Sequence, residues 1–451
     1  ELSMKISEAL RQLFKIEESE LRVVFMMTLI LLMNSVARQI SDVVAVSGFL
    51  STVGSDAILV VWLIDMFVVI LITAIQSIVV DRYNRLQLLS WMVFGFALFH
   101  FVLRFLFVFE AARGINYGLL FLLSEQQQLF FPIIFWVLAN DIFSMTQSKR
   151  VFPLIASGEF VGQILGLGIA GFTPLLLSRI DLKTEELLVF NTFLYMIVFI
   201  LIRAGLRGVE IRRISNKYET FQESLSEGWE FIKEIPAFRY IMFSIIGVNI
   251  VLTIFEFDFL GTTNQAFPTA EGYQQFYSFF RLGLIILATL IQTFLTSRIL
   301  QAVNLKNALL ILPINQFFAS LWMIVSRGLL GGIGGFSLSK ISQLTINEAA
   351  GKSVQSLVPE ERRGRVSLFM DSYLFAIGTI VGCVVLTLIW GSSFFVENVD
   401  HRQIYLIVAA VVGVANIGFV VKMRSTYDSS LLNWRLKRRQ KGRSVLDKLD
   451  F

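Results

Sequence analysis

The sequence predicts an all-α membrane protein that crosses the bilayer about twelve times. Hydrophobic residues make up 55% of the 451 residues and charged residues only 16%, which is outside the usage of ordinary soluble domains. Apolar runs long enough to span the hydrocarbon core recur from one end of the chain to the other. Lysine and arginine are concentrated in alternate connecting segments, as they are in polytopic helical proteins.

Each predicted span is a mainly apolar stretch of about twenty or more residues that contains few charges. The stretch 328–351 differs from the others because it is rich in glycine and serine. The predicted spans are 21–46, 57–80, 87–109, 117–144, 151–178, 187–206, 239–262, 274–297, 305–326, 328–351, 365–390 and 403–423.

The uneven distribution of basic residues predicts the topology. By the positive-inside rule, the strongly basic connecting segments lie in the cytoplasm together with both termini, and an even number of spans agrees with this. The net charge of +5 therefore reflects topology and does not indicate a nucleic-acid partner. The basic residues of these segments are Arg82, Arg85, Lys149, Arg150, Arg207, Arg212, Arg213, Lys217, Lys352, Arg362, Arg363 and Arg365.

A polar stripe interrupts the first span. Asn34, Arg38 and Asp42 follow each other at intervals of four residues, so they share one side of a helix that is otherwise almost purely apolar. Charged side chains at membrane depth are costly unless they face a wet cavity or one another. The stripe predicts a substrate pathway, and the alternative is a buried ion pair that holds two helices together.

Several classes of function are disfavoured by composition. Cys383 is the only cysteine, which excludes disulfides and cysteine-rich metal sites. The two histidines, His100 and His401, are far apart and form no metal-binding pair. The sequence therefore predicts no enzyme, no metal site and no cofactor.

Five segments are predicted along the chain. The chain begins at Glu1 and not at methionine, so we expect a fragment of a longer protein. Phe221, Leu225, Trp229 and Ile232 recur at helical spacing, which predicts an amphipathic helix on the cytoplasmic surface. The basic C-terminal tail either lies against anionic lipid or leads into a soluble domain outside this sequence. The segments are an N-terminal cytoplasmic segment 1–20, a six-helix bundle 21–206, a linker 207–238, a second bundle 239–423 and the tail 424–451.

The two bundles show weak internal symmetry. Asn140 and Asp141 end span four, and glycines 158, 162 and 166 follow a basic loop. Asn347 and Glu348 end span ten, and glycines 378 and 382 follow a second basic loop. Glycines four residues apart allow close helix packing. Two pseudo-symmetric halves of six helices predict a major-facilitator-like architecture with a site near the membrane midplane, between the halves.

Several motifs resemble those of the nucleotide transporters of bacteria and plastids. Residues 135–141 read FWVLAND and residues 149–154 read KRVFPL, which is similar to that family's F-W-x-x-A-N-E followed by K-R-F-Y-x-L. The stripe of span one resembles its N-x-x-x-R-x-x-K-D pattern. Glu256, followed by FPTAEGY at 267–273, resembles its E-x-x-W-K and Y-P-T-x-x-E-Y, and Gly364, Arg365 and Asp371 are a looser match to G-K-A-A-I-D.

The resemblance implies exchange of ATP for ADP or import of other nucleotides, in a bacterial inner membrane. Two departures weaken the case for ATP, because the family's lysines are replaced by Ser41 in span one and Leu260 after Glu256. A cavity for a triphosphate needs excess positive charge, and acids outnumber bases within the spans. A less charged nucleotide, a nucleoside-like solute or a solute carried with protons fits this balance better. The bases are Arg38, Arg104, Arg281 and Lys340, and the acids are Asp42, Asp65, Glu125, Asp141, Glu159, Glu256, Asp258, Glu348 and Asp371.

Three groups of candidate site residues follow. Arg38 is the first candidate for holding an anionic group, because guanidinium pairs bidentately with phosphate or carboxylate; the alternative is that it pairs only with Asp42 or an acid of span seven. The predicted substrate-binding residues are Asn34, Arg38, Asp42, Asn140, Arg281, Lys340 and Asn347. The predicted coupling or charge-network residues are Asp141, Glu159, Glu256, Glu348 and Asp371. The predicted gating-loop residues are Asp81, Arg82 and Arg85.

Three functions remain open from the sequence. The first is a secondary active transporter that moves nucleotides or related solutes by alternating access. The second is a major-facilitator carrier of an unrelated substrate, and the third is a transporter-like sensor or scaffold attached to a missing regulatory domain. In the first two cases the partners are a small-molecule substrate and the lipid bilayer, with no nucleic acid. The sequence does not define the oligomeric state.

Overall fold

The computed structural model describes helices and turns and no strand within its defined ranges. At residues 18–19, 76–82, 145, 305 and 427–446 it describes the backbone but not the side chains. The described ranges are 17–109, 112–177, 183–209, 229–230, 233–355, 358, 366–391 and 400–446.

The first six helices follow one another with short connections. Helical structure satisfies every backbone hydrogen bond within the segment, which is required of a chain surrounded by lipid. Helix α6 ends in a π-helical turn, Leu201–Gly205. The helices are α1 Glu18–Thr52, α2 Ile58–Arg82, α3 Arg85–Leu106, α4 Arg113–Ile142, α5 Met145–Leu177 and α6 Leu187–Ile200.

The second six helices are interrupted more often. Helix α8 runs from Ala270 to Ile291 and continues through the π-helical turn Gln292–Thr296 to Val303. Helix α10 continues through the π-helical turn Gln343–Asn347 into Glu348–Gln355, and α11 begins around the turn Phe369–Tyr373. The helices are α7 Pro236–Ala266, α8 Ala270–Ile291, α9 Ile311–Val325, α10 Leu329–Ser342, α11 Leu374–Gly391 and α12 His401–Leu446.

Within the described ranges, eleven helices are long and apolar enough to cross a membrane. These correspond to α1–α9, α11 and α12, and they confirm the predicted all-α, polytopic class. The helix over 329–355, which covers the glycine- and serine-rich stretch, is absent from the eleven. Its polar composition, which includes Lys340 near the middle, explains this difference.

The chain forms two compact units, and two helices contribute to both. Unit 1 comprises Glu1–Val61, Ile75–Tyr218 and Phe267–Ile285, and unit 2 comprises Trp62–Ala74, Glu219–Ala266 and Ile286–Phe451. The middle of α2 therefore belongs to unit 2, while the first part of α8 belongs to unit 1. The boundaries predicted from the sequence at 206 and 239 stay predictions.

Parts of the predicted linker and tail lie outside the described residues. Of the predicted amphipathic helix, Phe221, Leu225 and Ile232 are not described, whereas Trp229 is exposed and carries the Lys233 ammonium 5.1 Å from its ring centre. The backbone of α12 continues as helix to Leu446, far beyond the apolar part that ends at Thr426.

Glycines bring α5 into direct contact with α1. A Cβ atom placed on Gly158, Gly162 or Gly166 would lie only 2.6, 2.4 or 2.8 Å from a backbone carbonyl oxygen of α1. No side chain fits at such distances, so these positions allow the two backbones to approach closely. The oxygens belong to Thr28, Leu32 and Val36.

Helix α11 packs on α7 in the same register. A Cβ on Gly378 would lie 2.8 Å from the Ile246 oxygen and 2.7 Å from the Asn249 Cβ, just as Gly162 meets the Leu32 oxygen and, at 2.7 Å, the Ser35 Cβ. Gly382 repeats the contact one turn later, against Ile250 and Thr253. Aligning α1 with α7 on these contacts makes Asp42 equivalent to Glu256.

Candidate functional site

The polar stripe of α1 is buried in unit 1. Asn34, Arg38 and Asp42 are 3%, 9% and 8% exposed. The helix is long and uninterrupted here, and the α5 glycines hold its backbone in place. Burial at this depth requires that each polar group find a partner, a ligand or water. The three side chains meet this requirement in different ways.

Asp42 forms an ion pair with Arg281 of α8. The guanidinium of Arg281 also lies 5.3 Å from the ring centre of Tyr277, one turn earlier. This part of α8 is held on α5, because Gln274 Nε2 donates to the Ala170 carbonyl at 2.9 Å and Gly171 leaves room for Ser278. The structure thus brings together two residues that were predicted separately as substrate ligands.

Arg38 has no such partner. Within the part of the chain that the structure describes, no ion pair or hydrogen bond reaches its guanidinium, although the charges of Glu125 and Glu159 attract it. The positive charge of Arg38 also acts on Arg281. Both alternatives that the sequence left open for Arg38, pairing with Asp42 or with an acid of span seven, are absent from the described contacts.

Asn34 forms hydrogen bonds with two other helices of unit 1. Its Oδ1 accepts a hydrogen bond from the Tyr195 hydroxyl at 2.9 Å, and its Nδ2 donates to the Gln127 carbonyl at 3.4 Å. The ring of Tyr195 stacks on His100, with centres 5.6 Å apart. The amide of Asn34 therefore ties α1 to α4 and α6.

Ser41 lies in the same buried network. Its Oγ is 2.9 Å from His100 Nε2 and accepts a hydrogen bond from Asn191 Nδ2 at 3.0 Å. His100 is fully buried, with its Nδ1 donating to the Phe96 carbonyl at 2.8 Å. The position at which the family pattern has lysine thus faces α3 and α6 and not the Arg38 guanidinium.

A second ion pair joins α3 to the end of α4. Arg85 contacts both carboxylate oxygens of Asp141, whose side chain is only 4% exposed. A predicted gating residue and a predicted coupling residue are therefore direct partners. Asp81 and Arg82 end α2, and their side chains lie outside the described residues. Asn140 is exposed, and its Nδ2 donates to the Trp136 carbonyl of its own helix at 2.9 Å.

Glu159 lies on α5 opposite α1. Ser35 Oγ donates to the backbone carbonyl of Glu159 at 2.9 Å, and Gln163 Nε2 lies 3.5 Å from its Oε1. The side chain is half-buried and forms no ion pair with any described residue. Its charge, like that of Glu125, attracts Arg38.

The candidates of unit 2 are more dispersed. Glu256 on α7 and Lys340 on α10 are half-buried, and neither has an ion pair in the described ranges. Asn347 is half-buried and Glu348 is exposed. Asp371 is exposed and pairs with Lys352 at 2.7 Å, an arrangement typical of a solvated surface.

Sequence reasoning missed a buried carboxylate in unit 2. The side chain of Asp258 is fully buried; it accepts two hydrogen bonds from Arg402, at 2.7 and 3.0 Å, and one from the Tyr405 hydroxyl at 2.8 Å. Arg402 stands at the start of span twelve and reads in the sequence as an isolated loop charge. In the sequence, this pair is indicated only by an acid within span seven and an arginine at the start of span twelve, neither of which has another predicted partner.

Comparison with solved structures identifies the fold. A mutant form of the nucleoside transporter NupG matches with a TM-score of 0.65 and 15% identity, over 89% of this chain and 99% of that one. The POT family transporter PepTSo matches with a TM-score of 0.64 and 11% identity, over 89% of this chain and 98% of that one. A bacterial homologue of the iron transporter ferroportin matches with a TM-score of 0.61 and 13% identity, over 91% of this chain and 100% of that one. The chain has the fold of the major-facilitator transporters, as the internal symmetry predicted.

Sequence comparison adds a match to a family profile over part of the chain. Residues 103–326 match the profile of the family described as TLC ATP/ADP transporter. This confirms, over slightly less than half of the chain, the resemblance drawn from the motifs. No curated protein sequence matches the chain. The fold and the family match together support an integral membrane transporter.

Proposed function

We propose that this protein is a secondary active transporter that moves a nucleotide or a related solute across the membrane by alternating access. The match to the TLC ATP/ADP transporter family supports a nucleotide-type solute. The similarity in fold to a nucleoside transporter agrees with it. We further propose a bacterial inner-membrane location with both termini in the cytoplasm, based on the distribution of basic residues.

The observation that carries the proposal is the state of Arg38. A buried guanidinium without an ion pair is unfavourable unless a ligand supplies the counter-charge. Asp42, one turn away, is already neutralised by Arg281. Because guanidinium presents a planar fork of donors, Arg38 is suited to hold a phosphate or carboxylate bidentately.

The other candidates take distinct proposed roles. Arg281, on which the charge of Arg38 acts, is proposed to share the anionic group of the substrate, while Asn34 positions α1 through Tyr195 and Gln127. The Arg85–Asp141 pair acts as a gate contact. The remaining candidates, Asn140, Lys340, Asn347, Glu256, Glu348 and Asp371, keep the binding or coupling roles that the sequence proposed for them.

Binding and transport by purified protein test the proposal. We expect one or more nucleotides or nucleosides to raise the melting temperature of the protein in detergent. We also expect radiolabelled hits to accumulate in proteoliposomes. Arg38→Ala should abolish binding and uptake, and Arg38→Lys should retain a small fraction because lysine keeps the charge but not the fork. Arg22→Ala, at an exposed arginine of the same helix, is the matched control and should behave as wild type.

Two results would overturn the proposal. Failure of every nucleotide and nucleoside to bind would favour a carrier of an unrelated substrate. Binding that depends on Arg38, without any movement of the ligand across the vesicle membrane, would favour a sensor that retains the transporter fold.

A further inference from the structure

We propose that the surface where the start of α3 meets the end of α6 binds an anionic phospholipid, whose phosphate pairs with Arg203 and Arg207. This inference goes beyond the proposed function and is independent of the solute that is carried. It rests on a row of aromatic rings that runs from α3 to an exposed guanidinium at the end of α6. This lipid site lies within unit 1 and comprises Trp91, Phe94, Gly95, Phe199, Arg203 and Arg207.

The row of rings begins on α3 and crosses to α6. Trp91 meets Phe94 edge to face, with ring centres 6.5 Å apart, and Phe94 lies 5.6 Å from Phe199 of α6. The Arg203 guanidinium lies 5.6 Å from the centre of the Phe199 ring, within the range of a cation–π contact. Helices α3 and α6 are antiparallel, so Trp91 and Arg203 lie on the same side of the contact between the two phenylalanines.

The two arginines of the lipid site have no anionic partner in the described ranges. Both are exposed, and neither forms an ion pair or a hydrogen bond with a described residue. Arg203 and Arg207 are four residues apart, which corresponds to about 6 Å along a helix axis. Two long side chains can bridge this distance to one phosphate, and each guanidinium presents a planar fork of donors that fits phosphate oxygens.

The segment that carries the arginines is fixed by packing on α1. A Cβ atom on Gly205 would lie 3.2 Å from Met26 Sδ, and the next residue, Leu206, is only 1% exposed. Gly208, with a φ of +82°, then turns the chain in a conformation that glycine adopts readily. Since the backbone is already held in place, a headgroup can bind with a smaller loss of conformational entropy.

The depth of the arginines in the bilayer matches that of a lipid headgroup. The apolar span that contains α6 ends at Gly205, so Arg203 is in its last turn and Arg207 lies just beyond it. The headgroup region on each side of a bilayer is about 5 to 8 Å thick, which is comparable with the separation of the two arginines. Tryptophan is favoured at the same level, and Trp91 is 59% exposed.

Gly95 leaves an open notch beside the rings. It is exposed and lies one turn after Trp91, and no heavy atom is found within 4 Å of a Cβ placed on it. The neighbouring exposed residues of this helix are large and apolar, among them Phe94 and Phe99. A recess between such side chains is complementary to a flexible acyl chain. Cations for a phosphate beside an apolar recess fit a phospholipid and not a soluble phosphate.

Quenching of Trp91 fluorescence by lipids with brominated acyl chains tests the proposal. The purified chain is placed in vesicles that contain brominated phosphatidylglycerol or, at the same mole fraction, brominated phosphatidylcholine. Because the chain has seven tryptophans, the difference between wild type and Trp91→Phe gives the Trp91 signal. We expect phosphatidylglycerol to quench Trp91 more strongly, and an excess of glycerol 3-phosphate, which has no acyl chain, to leave the quenching unchanged.

Two charge variants and a control measure the role of the arginines. The preference for phosphatidylglycerol at Trp91 should fall about fivefold in Arg203→Gln and about fivefold in Arg207→Gln. The preference should be absent in the double variant. Arg424→Gln, at an exposed arginine near the end of the apolar part of α12, should match wild type, because no described ring or anion contacts this arginine.

The notch is tested without a change in charge. Gly95→Leu fills the recess and should reduce quenching of Trp91 by phosphatidylglycerol. Gly418→Leu is the matched control, because this glycine of α12 is also exposed and also has no heavy atom within 4 Å of an added Cβ. All substituted positions of the lipid site and both controls are exposed, so each variant should keep the melting temperature of the wild type.

The outcomes are distinct. Equal quenching of wild-type Trp91 by the two lipids, or a preference that persists in the double variant, overturns the inference. An equal loss of preference in Arg203→Gln and Arg424→Gln shows attraction by overall charge and overturns the specific site. Relief of quenching by glycerol 3-phosphate identifies a soluble phosphate as the ligand and overturns the lipid assignment. None of these measurements contains a nucleotide, so each outcome leaves the proposed function unaffected.

Discussion

Asp42 of α1 is neutralised by Arg281 of α8 and not by Arg38, which lies one turn away on its own helix. Two residues of a single stripe are thereby given different tasks. Asp42 completes an internal ion pair, while Arg38 has no ion pair among the described residues, as its proposed role in anion binding requires. Because only Asp42 of the two has an ion-pair partner among the described residues, separate substitutions at the two positions can test what each charge contributes.

Removal of the Asp42 carboxylate should show how much its ion pair with Arg281 contributes to the stability of the protein. Asp42→Ala leaves the half-buried Arg281 without its partner, so we expect the free energy of unfolding to fall by about 3 kcal/mol. The double variant Asp42→Ala, Arg281→Leu should recover much of this loss, because no unpaired charge remains. Thermal unfolding in detergent measures both. Asp371→Ala, which breaks an exposed pair with Lys352, is the control and should change stability by at most about 1 kcal/mol.

Gly162 should tolerate no larger side chain. In Gly162→Ala the new methyl group would lie 2.4 Å from the Leu32 carbonyl oxygen, and forcing α5 away from α1 should destabilise the protein by about 2 kcal/mol. Gly168→Ala, on the same helix with no heavy atom within 4 Å of the new Cβ, should be neutral or raise stability by up to about 1 kcal/mol. Equal melting temperatures for the two variants would contradict the observed packing.

Restoring the family lysine at position 41 should not restore an ATP site. Ser41→Lys places a charge beside His100 and Asn191, both fully buried, and should lower stability by about 3 kcal/mol. Ser41→Ala removes only hydrogen bonds and should lower it by about 1 kcal/mol. A well-folded Ser41→Lys protein with stronger ATP binding would show that this position faces the ligand.

The Asp258 carboxylate is expected to stabilise the fold through its contacts with Arg402 and Tyr405. Asp258→Ala leaves Arg402 without its partner, so we expect a loss of about 3 to 5 kcal/mol in thermal unfolding. Tyr405→Phe removes one hydrogen bond to the same carboxylate and should lose about 1 kcal/mol. Asp400→Ala is the control, because its pair with Arg327 is exposed and 3.5 Å long. If Asp258→Ala melts like this control, the ion pair contributes nothing measurable.

Much of the architecture is predictable because it follows from periodicity. Apolar runs predict the spans, and glycines four residues apart predict the contact of α5 with α1. The stripe itself shows the limit of such reasoning. Each step of four residues rotates the side chain by about 40°, so Asn34 and Asp42 differ by about 80° around the helix axis. Asn34 therefore turns towards Tyr195, while Asp42 reaches α8.

The partners in the site are harder to predict because they are remote in the sequence. Arg281 lies 239 residues after Asp42, and its register depends on the packing of Gln274 and Ser278 against α5. The same applies to Arg402 and Asp258, which are 144 residues apart. Periodicity determines which residues share a helix face, but tertiary packing decides which residues pair between helices.

Helix α8 is divided between the two units at Ile285, and this has a mechanical consequence. The segment that carries Arg281 precedes this division and is held on α5 through Gln274 and Ser278, within unit 1. The π-helical turn Gln292–Thr296, a few residues beyond the division, is a natural hinge because its hydrogen-bond ladder is already irregular. Bending of α8 at this turn would leave the pairing of Arg281 with Asp42 undisturbed, because the residues that hold Arg281 in place all precede the turn.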